Sequence, residues 1–420
     1  MSKWTINVGY GEKLELPLET RKSITILLGA GFSAPKGYPI GSDMNKRILY
    51  FDKYNVDFSP RGELFVYSEK GNAMNGVAPL NPHQKYFIFC KRLINEYYAA
   101  HNNTFDYELF YDFIKSSEAY DERYQLLCAD LRNNNESYDH FIFNISHIYN
   151  QMVEFLLKDR EGRNRYDNNP FHIGHVDNYN DFLTFIASLS KDHIVNIHTL
   201  NHDLLFESFN KTDIINGNIS DGFDEYGSNY YGKLQKDNIT YHCRLQRYTG
   251  RYNKPIRLFK LHGSIDYVIY YKTTKEGTML PEKYIKTMYG ISSSDIIKSR
   301  RSKIGYDVSP FAYHADWLTG TTAKIKRYNE PLLFRKLFKR FRNNLKHAEK
   351  LIIIGYGGKD DGINQIILEN FEHKQKPVYI VDKFGVGKIK ELAETLQATM
   401  YKIDINEIKE NLFVTSNNPK

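Results

Sequence analysis

Five short aliphatic runs constrain this chain more than any other feature: residues 23–28, 194–197, 258–261, 351–354 and 378–381. Each stops at a Gly, His or Asp, and the stretches between them have helical character. Runs of four to six residues that are apolar or β-branched at most positions read as strands buried on both faces, because a half-solvated strand would alternate polar and apolar residues. Strands of this kind separated by helices fold as a parallel sheet with helices on both faces, since each return to the same sheet edge needs a crossover. The predicted class is therefore α/β. Residues 82–160 interrupt the pattern with long aromatic-rich helical segments; Ile145, Ile148, Tyr149, Met152 and Leu156 fall on one helical face. This block reads as a helical insertion. Residues 22–81 and 161–420 read as the sheet-bearing core, and residues 268–329, polar and basic without clear periodicity, as a small excursion. Residues 1–21 read as an arm, with Trp4, Ile6 and Val8 and then Leu14, Leu16 and Leu18 alternating as in a strand pair.

At 420 residues and a mean hydropathy of −0.55, the chain is long enough to bury a core without metals or disulfides. Its apolar runs are far shorter than the ~20 residues of a membrane-spanning helix, and the first residues lack the continuous apolar segment of a signal peptide. A cytoplasmic protein with no membrane partner is expected. Cys90, Cys128 and Cys243 are dispersed and form no CxxC pair, so a four-thiolate zinc site is impossible and no metal is expected. The formal charge of +7 is a mild excess. Its densest stretches are Lys298 to Lys303 and the segment from Arg335 to Lys346. In the second, Phe334, Leu337, Phe341, Leu345 and Ala348 recur at helical spacing, which makes the basic residues a solvated helix face in preference to a nucleic-acid surface.

The strand ends carry the candidate chemistry. Gly29-Ala30-Gly31, followed by Ser33 and Gly37-Tyr38-Pro39, suits either a tight strand-to-helix turn or a loop whose N–H groups cradle a diphosphate. It is neither the spaced GxGxxG of common dinucleotide folds nor a triphosphate loop, which would end in Lys-Ser/Thr. Thr199, Asn201 and Asp203 follow the second run at alternate positions, so their side chains can converge, although Asn201 or Asp203 could equally cap the next helical turn. His262-Gly263 ends the third run, where a histidine is structural or catalytic. Gly355-Tyr356-Gly357, with Asp360, Asp361 and Asn364 beyond, ends the fourth. Asp382 ends the fifth, a position where an acidic group commonly meets a ribose hydroxyl.

Taken in order, these strand ends resemble the sirtuin superfamily. Gly29-Ala30-Gly31-x-Ser33 with Gly37-x-Pro39 is similar to its NAD-binding loop, Thr199-x-Asn201-x-Asp203 to its Asn/Asp motif, and Leu261-His262-Gly263 to its histidine motif. The resemblance covers residues 22–60, 180–268 and 345–405 and implies a Rossmann-like core. Two departures separate the chain from the protein deacylases of that family: the zinc cysteines are missing, and Ile40-Gly41-Ser42-Asp43 stands where Asp-Phe-Arg would follow the Gly-x-Pro. The sequence is closer to the sirtuin-like domains of bacterial immune proteins that hydrolyse NAD, a branch that Gly355-Tyr356-Gly357 with Asp360 and Asn364 also resembles.

The resemblance implies an NAD+ glycohydrolase acting in anti-phage defence, with NAD+ as substrate. Asn201 would order a water near C1′, Asp203 would hold the carboxamide, and His262 would act on the water or a ribose hydroxyl. Gly29, Gly31 and Ser33 would face the diphosphate, with Ala30 and Gly355 in the same binding site, and Asp382 would meet the adenosine ribose. His202 stands where the family has an aliphatic residue. A homo-oligomer and a complex with a HerA-type ring ATPase are implied for a chain of this size. The alternatives are a deacylase or ADP-ribosyltransferase, and a non-enzymatic module that binds NAD or ADP-ribose.

Overall fold

The computed structural model describes residues 18–60, 62–66, 80–116, 129, 137–158, 177–288, 291–300, 305–310 and 314–413. Trp4 to Leu16 of the arm, Cys128, Arg301, Lys303 and the last seven residues lie outside them, as does part of the predicted helical insertion.

Seven strands form one parallel sheet: β1 (Lys22–Leu28), β2 (His193–Thr199), β3 (Ile219–Ser220), β4 (Ile256–Lys260), β5 (Ala348–Ile354), β6 (Val378–Val381) and β7 (Thr399–Tyr401). Their order is β7-β6-β5-β1-β2-β4-β3. The fold class is as the sequence predicts, a Rossmann-like parallel sheet with helices on both faces. Alternation along the strands sends Ile24, Ile26, Leu28, Val195, Ile197, Ile352 and Ile354 to one face, which packs on α6 (Asn180–Asp192) through Phe182, Leu183 and Ile186. Leu27, Leu351, Ile353 and Phe259 point to the other. There they meet α9 (Phe334–His347), α10 (Asp361–Asn370) and α11 (Lys388–Leu396).

The amphipathic reading of α9 holds. Phe334, Leu337, Phe338, Phe341 and Leu345 are buried while Arg335, Lys336, Lys339 and Lys346 are exposed, and each buried side chain contributes roughly 1.5–3 kcal/mol. The basic face is partly engaged by the protein itself. Arg340 lies over the Tyr252 ring and donates to the Gly250 carbonyl, and Lys336 lies over Tyr248.

Before β2 come α1 (Ala30–Ser33), α2 (Gly41–Leu49), α3 (Pro82–Ala100), α4 (Tyr107–Lys115) and α5 (Tyr138–Lys158). Asn81 starts α3 through a capping box with Gln84, and Asp106 caps α4 through the Glu108 and Leu109 N–H groups. The predicted stripe of α5, Ile145 to Leu156, is buried against α2, α3 and α4. Ala315 and Trp317 join the same apolar core, so the later chain packs onto the helical block.

The segment from Gly222 to Val308 departs from the sequence reading. It forms two four-stranded antiparallel sheets, one from Gly222–Asp224, Gln246–Arg251, Tyr267–Thr273 and Met279–Lys286, the other from Tyr230–Lys236, Ile239–Arg244, Ile296–Ser299 and Tyr306–Val308. The described residues of the predicted excursion thus contain antiparallel strands, and the strands of the same two sheets begin well before residue 268. One of them carries a signal that was legible: Asp237 and Asn238 both have positive φ, +50° and +62°, as a two-residue type I′ turn requires. The described chain also holds a two-stranded hairpin, Val56–Phe58 with Leu64–Val66, and two short helices, α7 (Leu205–Ser208) and α8 (Ala323–Arg327).

Candidate active site

β1 lies between β2 and β5. From β1 the chain builds the sheet in one direction through β2 and β4, then returns beside β1 and builds in the other. Strand order reverses there, and in open parallel sheets the crevice beyond the strand ends at such a point is where ligands bind. Register aligns those ends: Leu28 pairs with Thr199 and Ile354, Thr199 with Lys260, and Ile354 with Val381. The residues that follow emerge along one edge and line a cavity of about 780 Å³. Gly29, Ala30, Gly31, Ser33, Asn201, Asp203, His262, Gly355 and Asp382 all line it.

The glycines bring two loops together. A Cβ on Gly29 would sit 2.6 Å from the Gly355 carbonyl oxygen, one on Gly31 2.9 Å from the same atom, and Gly355 itself has φ +62°. The N–H groups of Gly29 and Gly31 donate to the carbonyls of Ile354 and Gly355, at 3.0 and 2.8 Å. These two N–H groups tie the loop after β1 to the loop after β5, while Gly29 and Gly31 themselves line the cavity. Ala30, between them, is exposed in the cavity wall.

Asn201 is fixed by its amide. Its Nδ2 donates to the Gly29 carbonyl and to Ser33 Oγ, both at 2.9 Å. A carbonyl only accepts, so the NH2 must face Gly29. Among the described residues no hydrogen bond uses Oδ1. Ser33, almost wholly buried, also helps to hold the Asp203 carboxyl down. Asp203 Oδ1 accepts the Leu205 N–H at 3.0 Å, so the carboxylate serves as a turn cap as well as a cavity wall. Burial pushes its carboxyl up, against the pull of Lys260 and the Leu205 N–H.

His262 stands at the far side, 5% exposed. Gly263 beside it has φ +82°, and a Cβ there would meet the Asp316 carbonyl at 2.5 Å. That absence of a side chain lets the segment at Trp317 lie against the histidine turn, where Leu318 N–H donates to the His262 carbonyl at 2.7 Å. His262 Nε2 is 3.3 Å from Asp360 Oδ2, an ion-pair contact without hydrogen-bond alignment. The same oxygen lies 2.9 Å from Lys324 Nζ, which also contacts Glu108 Oε1 at 3.2 Å. Asp360 Oδ1 accepts the Ile363 N–H and caps α10. Burial opposes the Asp360 charge, but His262 and Lys324 outweigh it and hold the carboxyl well below the usual range. Burial lowers the His262 pKa and Lys324 adds to that, while Asp360 opposes. The imidazole is therefore a free base near neutral pH, able to accept a proton.

Asp382 sits at another part of the wall, half-buried, with Oδ1 accepting the N–H groups of Phe384 and Gly385. His202 also lines the cavity, its ring centroid 6.2 Å from that of His262. Burial, then the neighbouring His262, Lys260 and Lys324, push its pKa well down. Sequence reasoning named Asp360 without a role and missed Lys324 and Glu108. No local pattern marks either of these two, because α8 and α4 supply them from segments far apart in the chain. Among the described residues no group of three or more His, Cys, Asp or Glu side chains is arranged to hold a metal ion. No helix among them is long and apolar enough to cross a membrane.

No family model matches the chain, and no curated protein does. Solved structures of Sir2 enzymes are similar to it. One described as the structural basis for the mechanism and regulation of Sir2 enzymes is 12% identical, with a TM-score of 0.31, covering 94% of this chain and 92% of that one. A Sir2 homologue in complex with ADP-ribose is 10% identical, with a TM-score of 0.33 and the same coverage. Sir2 bound to acetylated peptide is 12% identical, with a TM-score of 0.30, covering 93% of this chain and 91% of that one.

Proposed function

We propose that the chain is an NAD+ glycohydrolase that cleaves NAD+ to nicotinamide and ADP-ribose, and that it acts in bacterial anti-phage defence by depleting NAD+. One observation carries the reading: Asn201 and His262 line a single cavity at the sheet's switch point, together with Gly355 and Asp382. In the reaction the C1′–N bond breaks with its electron pair leaving on nicotinamide, which departs neutral because it was a pyridinium. Water adds at C1′ and gives up one proton. The site then needs orientation and a proton acceptor more than a strong acid. Asn201, its NH2 anchored on Gly29 and Ser33, turns Oδ1 toward the attacking water, and the buried free-base His262 takes the proton. Asp203, whose carboxylate already holds the Leu205 N–H, keeps this wall of the cavity rigid.

Purified protein incubated with NAD+, with nicotinamide, ADP-ribose and cyclic ADP-ribose separated afterwards, tests the reading. Nicotinamide and ADP-ribose in equal amounts support it. Turnover only with an acylated peptide or an acceptor protein points to a deacylase or ADP-ribosyltransferase. Binding without turnover points to an NAD or ADP-ribose sensor. His262→Ala is expected to lose at least ~10²-fold in turnover; a collapse of melting temperature in its place makes the histidine structural. A homo-oligomer and a HerA-type ring ATPase partner belong to the same proposal and rest on the motif resemblance. Light scattering of the protein alone and mixed with such an ATPase tests them, and an active, unpartnered monomer at micromolar concentration removes both.

A further inference from the structure

We propose that Lys324 is a positioning residue for His262, and that the helical block sets it in place through Glu108 and Asp112 of α4. This rests on the reading of His262 as the proton acceptor. Lys324 is 4% exposed and lines the cavity beside His262 and Asp360. A buried ammonium persists only where carboxylates compensate its desolvation, and Lys324 has two, Asp360 Oδ2 and Glu108 Oε1. Asp360 cannot swing away, because its other oxygen holds the first turn of α10. One carboxylate oxygen is thus shared between the Lys324 ammonium and the His262 imidazole. With the ammonium present, Asp360 orients the ring while its charge is largely neutralised, and the ring stays a base. Without it, the same carboxylate would favour the imidazolium.

The place of Lys324 is not decided by its own segment. α8 is five residues long and Thr322 makes no side-chain cap bond at its start. The cap comes from α4. Asp112 accepts the N–H and hydroxyl of Thr321, the N–H and hydroxyl of Thr322, and the Ala323 N–H, the last from 211 residues away. Gly320, φ +88°, leaves room for the Asp112 carboxylate, which a Cβ there would overlap. Glu108 and Asp112 are one turn apart on the same face of α4, so one helix places both the start of α8 and the second partner of its lysine. Arg327 pins the other end of α8 to Asp316 and Glu330. Besides Asp360, Lys324 and Glu108, the titratable groups around His262 and its partner among the described residues include His202 on the loop after β2, Tyr328, whose hydroxyl is 3.5 Å from Asp360 Oδ1, and Tyr356, whose hydroxyl accepts the Asp360 N–H at 3.1 Å.

The test is the titration of the His262 ring by NMR on the histidine-labelled full chain, its signal assigned by loss in His262→Gln, beside the pH profile of NAD+ turnover. A unit charge about 6 Å away, at an effective dielectric of about 20, moves a pKa by a unit or more. Lys324→Met is therefore expected to raise the His262 midpoint by at least about one unit and to carry the acid limb of turnover up with it, a tenfold loss of free base at pH values below the midpoint. Lys324→Arg retains the wild-type midpoint. Glu108→Gln removes a carboxylate but keeps the ammonium, so the midpoint moves down, opposite in sign to Lys324→Met; this variant also serves if Lys324→Met fails to fold. Asp112→Ala, which frees α8, shifts the midpoint in the same direction as Lys324→Met. An unchanged His262 midpoint in folded Lys324→Met, or the same sign of shift in Lys324→Met and Glu108→Gln, overturns the proposal. The midpoints are read without NAD+, so the expected shifts in a protein that never cleaves NAD+ would reject the glycohydrolase reading and leave the role of Lys324 standing.

Discussion

Replacing Asn201 with Ala separates what that side chain does for the fold from what it does for chemistry. The substitution deletes two hydrogen bonds, to the Gly29 carbonyl and to Ser33 Oγ. Neither partner is stranded: Gly29 O keeps the Phe32 N–H at 2.9 Å, and the Ser33 hydroxyl, which loses only an incoming donor, can still turn its own hydrogen to an acceptor. Each lost bond then carries its net value of about 1 kcal/mol, with no added penalty for a stranded group, and the expected destabilisation is about 1–2 kcal/mol. Asn201→Asp keeps the volume but turns a carboxylate oxygen toward the Gly29 carbonyl at a site where Asn201 donated, and adds a negative charge near Asp203; it should cost more than Ala. Chemical denaturation of the three proteins gives the stabilities, and nicotinamide release gives the rates. The expected result for Asn201→Ala is a folded protein that still gains thermal stability from NAD+ and has lost at least ~10²-fold in turnover. Turnover within about tenfold of wild type would take Asn201 out of the mechanism, since oriented acid–base and water-positioning groups contribute more. A stability unchanged by the loss of both bonds would refute the account of how the amide is anchored.

Gly355→Ala should destabilise by more than ~2 kcal/mol, because left-handed backbone costs a non-glycine residue roughly 1–2 kcal/mol and the new Cβ also meets the backbone at Gly31 and Phe32; a wild-type melting curve would contradict the close approach of the two loops. His198 lies inside the sheet packing between Phe259 and Phe341, and burial depresses its pKa to about 3. The unfolded chain takes up the proton first, so stability is full above the ordinary histidine pKa and falls by up to about 1.4 kcal/mol per pH unit as the pH drops from 6.5 toward 3. His198→Leu should flatten that acid slope, and an identical slope in both proteins would fail the prediction. Chelators should leave turnover and melting unchanged, since three dispersed cysteines cannot make a four-thiolate cage; stoichiometric zinc together with inactivation by a chelator would reverse this.

The five strand runs, the stripe of α5 and the basic face of α9 were all legible in the sequence, because hydrophobic periodicity is a local property that the tertiary fold amplifies. So was the row of polar residues just beyond the strand ends, for a parallel sheet must deliver them to one edge. The antiparallel hairpins between Gly222 and Val308 were not. Their strands are half-exposed and rich in Tyr, Lys and Arg, so little apolar alternation marks them, and only turns such as Asp237-Asn238 gave a signal. The destination of the Gly29 and Gly31 N–H groups was likewise decided in three dimensions: a glycine loop after a strand fits a phosphate or a second loop equally well, and the acceptor is supplied by Ile354 and Gly355 across the sheet. Asp360 meets His262 because β5 and β4 end at the same edge, and Lys324 meets Asp360 and Glu108 because α4 docks on α8. Those contacts depend on the packing of distant segments, and no pattern within any one segment specifies them.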